Sequence, residues 1–118
     1  MDTGFHTLEA RVAQVDPDAS IRKKDLQRGD LVLVRTKNSL YQILVLGEDQ
    51  YLVSGGWFDR EGRTPQVTGI SGCTWGGSAI KQDVIASRGL FLEFENRVLT
   101  TRIKSVRVLR SQWPEQVN

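Results

Sequence analysis

One cysteine, one histidine and three prolines are all that this chain of 118 residues holds of those types. A lone Cys73 excludes an internal disulfide framework and points to a reducing compartment, most simply the cytoplasm. One cysteine and one histidine fall short of the three or four ligands of a zinc site. His6 is far from Cys73 in sequence, so no Cys–His nucleophile–base pair forms within one part of the chain. A small buried hydrophobe is the simpler role for Cys73. No glycine-rich loop runs into Lys-Ser or Lys-Thr ahead of a helix, so there is no P-loop. No apolar run exceeds four residues, as at Ile43 to Leu46, far short of a membrane span. The N-terminus, MDTGFHTLEARV, has no basic flank followed by an apolar stretch, so it is not read as a secretory signal. The expectation is a soluble, non-catalytic protein with no cofactor and no membrane partner.

What the chain does have is β patterning. Leu31 to Thr36, Leu40 to Leu46 and Tyr51 to Ser54 are apolar, rich in β-branched residues and separated by short polar turns. That order predicts an antiparallel meander. Leu90, Leu92 and Phe94 alternate with Phe91, Glu93 and Glu95, as a half-buried strand does. Asn96 stands where that strand must reverse. Ile103 to Ser105 reads as a 3₁₀ turn before a last strand, Val106 to Leu109. Between meander and hairpin lies a long connection, with a possible short strand at Val67 to Ile70. Ala79 to Arg88 is weakly patterned.

The length suits a single domain. We expect an N-terminal arm over residues 1–20, flexible or a short helix, because Leu8, Val12 and Val15 have helical spacing. Residues 21–110 form the domain and 111–118 a tail. The predicted fold class is all-β, a small antiparallel β-barrel that closes its exposed edges. The order of meander, long loop, hairpin, 3₁₀ turn and last strand resembles the SH3-like architecture. An OB-like barrel is the alternative, with Ala79 to Arg88 as the only candidate for its helix. The expected core is Leu31, Leu33, Ile43, Val45, Leu52, Leu90, Leu92, Phe94, Leu99, Ile103, Val106 and Val108. Both faces of the first two strands are apolar, which implies cover by an arm or a partner on the outer side.

Two segments place large rings beside glycine pairs, Gly55-Gly56-Trp57-Phe58 and Gly72-Cys73-Thr74-Trp75-Gly76-Gly77. Glycine admits close approach of a ligand or of another strand, and tryptophan offers a flat apolar face with one donor. If both loops share one rim of a barrel, Trp57, Phe58, Thr74 and Trp75 form a binding surface for a protein or a small molecule. Bulges, corners and a capped core explain the same residues without a ligand.

Charge is distributed in blocks. Residues 20–40 carry a net +4 and residues 96–110 a net +5, in a chain whose total is +2. If the first and last strands pair, Arg35, Lys37, Arg102, Lys104, Arg107 and Arg110 approach one another. A basic strip on a small barrel is the footprint of a nucleic-acid binder. The leading expectation is thus a binding or protein-interaction module of no catalytic activity, with nucleic-acid binding as the alternative. Asp83 to Leu90 is similar in part to the D-x-S-x-x-G-L signature of PilZ domains. Ile85 stands where that signature has serine and Arg88 where it has glycine, so no binding role is carried over. The sequence sets no oligomeric state.

Overall fold

The computed structural model describes residues 10–13 and 20–111. The chain is mostly antiparallel β-structure. Its strands are β1 (Ala10–Ala13), β2 (Ser20–Arg22), β3 (Leu31–Thr36), β4 (Leu40–Gly47), β5 (Gln50–Gly55), β6 (Gln66–Thr68), β7 (Ile70–Thr74), β8 (Ile80–Lys81), β9 (Val84–Ser87), β10 (Phe91–Phe94) and β11 (Ile103–Ser111). A 3₁₀ turn spans Lys23–Asp25, and one short helix, α1, spans Gly56–Arg60. The largest sheet has the order β1-β11-β3-β4-β5-β6. A three-stranded sheet, β10-β7-β8, and the pair β2-β9 complete the set. The meander β3-β4-β5 and the pairing of β3 with β11 agree with the sequence expectation.

Several elements differ from expectation. Ala10–Ala13, read as part of a flexible or helical arm, forms an edge strand on β11; the rest of residues 1–19 lies outside the described residues, as does 112–118. Ala79 to Arg88 holds β8 and β9 in place of a helix. Every residue of β9 is buried, so its sequence shows no alternation for periodicity to detect. Ile103 to Ser105 is strand with a register shift against β3, and not a 3₁₀ turn. At the hairpin after β10 the left-handed residue is Arg97, at φ 75°. Asn96 instead accepts a hydrogen bond from the Val98 amide through Oδ1 at 3.1 Å, a local side-chain turn of the kind Asn favours.

The core lies between the large sheet and a second layer made by β7, β9 and β10. From the large sheet come Val32, Val34, Tyr41, Ile43, Val45, Tyr51, Val53 and Ile103. Ile70, Cys73, Ile85, Leu92 and Phe94 face them from the other layer, all fully buried. Leu31, Leu33 and Leu52, expected inside, lie on the opposite face, and Leu99 is 51% exposed.

Asp30 explains the parity of β3. This aspartate, 2% exposed, precedes the strand and points inward. It accepts hydrogen bonds from the Gln27 amide (2.9 Å), the Ser111 amide (3.0 Å) and the Arg110 guanidinium (2.8 Å). Strand residues alternate, so an inward Asp30 sends Val32 and Val34 inward and the leucines out. A polar anchor outside the apolar run thus chooses between two apolar faces.

Candidate functional site: the outer face of the large sheet

The register of the large sheet brings outward residues into rows. Leu109 stands across from Leu31, Leu31 from Leu44, Leu44 from Leu52, and Leu52 from Val67. Five aliphatic side chains on five successive strands therefore form one row on the side turned away from the core. Directly opposed residues in antiparallel strands project to the same side and touch. The row continues at the register position of Val12 on β1. Val67 is 51% exposed, and the four leucines are half-buried. Antiparallel sheets with a solvated face ordinarily carry polar residues there.

Beside the row, Leu33, Arg35, Leu40, Ser105 and Arg107 line a cavity of about 190 Å³. Arg35 pairs with Ser105 across β3–β11 on one side and with Leu40 across β3–β4 on the other. Arg107 pairs with Leu33. Both arginines are exposed, and no ion pair or hydrogen bond engages either guanidinium among the described residues. Every outward position of β3, β4, β5, β6 and β11 is free of Asp and Glu. A second depression of about 700 Å³ lies at the β4–β5 turn among Arg28, Leu46, Gly47, Glu48 and Gln50. It mixes both charge signs and has few apolar walls.

The six predicted basic residues divide. Arg35 and Arg107 share the cavity, and Lys37 and Lys104 are exposed nearby in sequence. Arg102 donates to the Gly89 carbonyl at 2.8 Å, with its guanidinium 4.8 Å from the Phe91 ring centre. Arg110 is held by Asp30 and by the Asp25 carbonyl at 2.7 Å. Strand pairing brings the two basic blocks together, but two members serve internal contacts.

The glycine–tryptophan loops are built into the fold. Gly55, at φ 97°, lies so near the Leu40 carbonyl that a β-carbon would collide with it, and Gly56 lies against the Tyr41 ring. The Gly55 amide donates to Asp59 Oδ1 at 2.9 Å and the Trp57 amide to the Tyr41 hydroxyl at 3.3 Å. These contacts fix α1 on β4. Phe58 is fully buried at the hub of an aromatic cluster, 5.0 Å from Phe94, 5.2 Å from Trp57 and 6.3 Å from Tyr41 between ring centres. Trp57 is half-buried against the core, with Arg63 over its face at 5.8 Å. Thr74, 4% exposed, uses its hydroxyl to donate to the Ala79 carbonyl at 2.7 Å and to accept from the Gly76 amide at 3.1 Å. Trp75 is 56% exposed, and Lys81 Nζ sits 5.1 Å from its ring centre. Phe58 and Thr74 thus face inward. Trp57 and Trp75 have different neighbours, with no ring contact between them among the described residues.

Cys73 is fully buried, and burial pushes its thiol up to about 12. Nucleophilic thiols work as thiolates, so the protonated form dominates across the physiological range. No three residues of His, Cys, Asp and Glu converge among the described residues to hold a metal. No described helix is long and apolar enough to cross a membrane. Compared with protein families, curated proteins and solved structures, the chain matches none.

The two apolar faces of β3 and β4 are visible in the sequence, and Ile43 and Val45 lie inward as expected, whereas Leu31, Leu33 and Leu52 lie outward against expectation. The signal was present in Leu-Val-Leu-Val. The cross-strand alignment was not, because register depends on which residues pair.

Proposed function

We propose that the protein is a non-catalytic, cytoplasmic protein-interaction module whose docking surface is the outer face of the large sheet. The observation that carries this reading is the row Leu109–Leu31–Leu44–Leu52–Val67. A contiguous aliphatic row, half-buried along four leucines and exposed at Val67, is costly where water reaches it, and such patches mark interaction sites. The buried thiol of Cys73, held protonated, favours binding over catalysis. We read the meander with its returning last strand as an open relative of the SH3-like barrel, since no helix stands where an OB-like fold carries one. A nucleic-acid reading draws on Arg35 and Arg107 and predicts binding that weakens steeply with salt.

Selection from a random peptide library tests the proposal. Selected peptides are expected to lose affinity for Leu44→Ser at least tenfold and to keep it for Trp75→Ala. Loss with Trp75→Ala alone would move the site to the glycine–tryptophan loops. Failure to select any peptide would end the reading.

A further inference from the structure

We propose that the partner of this face is an acidic, aliphatic-rich segment of another protein, and that the cavity between Arg35 and Arg107 receives one of its carboxylates. This inference rests on the interaction reading above and names the chemistry of its partner.

Three features of the face choose the occupant. The first is charge. Arg35 and Arg107 are exposed, and among the described residues no acidic side chain shares the face with them. The face is therefore positive over an apolar floor, and its complement is negative and apolar at once. Guanidinium groups bind carboxylates through paired hydrogen bonds, which also fix orientation. The same face of a second copy would bring the same two arginines and, among the described residues, no carboxylate to meet them.

The second feature is size. A cavity of about 190 Å³ is smaller than the roughly 300–1,000 Å³ of small-molecule sites. It has room for one side chain and its immediate neighbour. Affinity must then come from a larger body that also covers the leucine row.

The third feature is the lining. Leu33 and Leu40 give the cavity apolar walls, and Leu40 is 40% exposed. A nucleic-acid backbone gains little from aliphatic side chains. Single-stranded bases need aromatic platforms, and the outward positions of β3, β4 and β11 hold none. A leucine-like side chain next to an aspartate or glutamate satisfies both walls and guanidinium groups.

The probe is 4-methylpentanoate, a leucine-sized chain ending in a carboxylate, followed by backbone amide shifts of the full chain. Its neutral amide and oligothymidine serve as comparisons. The acid is expected to shift the amides of Leu33, Arg35, Leu40, Ser105 and Arg107, with affinity about tenfold above the neutral amide. Arg107→Gln and Arg35→Gln, both at exposed positions, are expected to remove that advantage and leave the rest of the spectrum in place. Equal binding of acid and amide would overturn the carboxylate inference while sparing the interaction reading. So would a silent cavity in a protein that still binds library-selected peptides through Leu44. Oligothymidine binding at these amides in preference to the acid, and fading with salt, would replace the inference with a nucleic-acid site.

Discussion

The ring of Tyr41 occupies the space that a β-carbon on residue 56 would need. The Tyr41 hydroxyl also accepts the Trp57 amide, so β4 and α1 are joined through a glycine that sits at φ 47°. Gly56→Ala must displace the ring, which packs against Phe58 and Phe94. A loss on the order of 2–3 kcal/mol is expected in urea denaturation. Gly62 also has a left-handed φ, but nothing lies near its missing β-carbon. Gly62→Ala should cost about 1 kcal/mol. Equal losses at the two sites would show that the close approach has no energetic weight.

Asp30 joins the start of β3 to the end of β11 through Arg110 and the Ser111 amide. Asp30→Ala removes an acceptor from the Gln27 and Ser111 amides and leaves the Arg110 guanidinium with the Asp25 carbonyl alone of the two. The expected cost is about 3 kcal/mol, with faster hydrogen exchange at the Ser111 amide. An unchanged exchange rate there would mean that this end of β11 does not depend on Asp30.

Much of the fold was legible because strands announce themselves locally. Leu90, Leu92 and Phe94 alternate cleanly, and all three are buried as expected. The meander followed from short turns. Parity was legible in β4, where Ile43 and Val45 are buried as expected, but not in β3, where both faces are apolar and the deciding contact is Asp30 with Arg110, eighty positions away. The same limit hid the leucine row, which exists only once five strands are aligned. The two glycine–tryptophan loops drew notice for their composition, and the constraints on Gly55 and Gly56 come from β4.

The parity of β4 can be checked with neighbours. Ile43 is fully buried and Leu44 faces outward. Ile43→Ala is expected to cost about 2–5 kcal/mol. Leu44→Thr, which keeps a β-favouring residue on an exposed face, should stay within about 1 kcal/mol. The reverse order would invert the face assignment.

The thiol of Cys73 offers a test by pH. Its value rises from 9.0 to about 12, first because burial disfavours the thiolate. The folded state therefore holds a proton that the unfolded state releases earlier. This contribution to stability is complete below about pH 9 and is lost as pH climbs from there toward 12. Burial and the nearby Asp49 also raise Tyr51 above the ordinary phenol range, which adds a loss of the same sign. Cys73→Ala should flatten the alkaline fall in stability relative to the parent, measured by urea titration at several pH values. In the native protein the thiol should resist iodoacetamide at pH 8 and react on unfolding.

The most direct measurement of the docking claim is a methyl spectrum of the leucine-labelled chain titrated with a library-selected peptide. The account predicts shifts centred on the methyl groups of Leu31, Leu44, Leu52 and Leu109, with those of the buried Leu92 unmoved. Silent outward methyl groups, together with a change at the Trp75 indole, would contradict it.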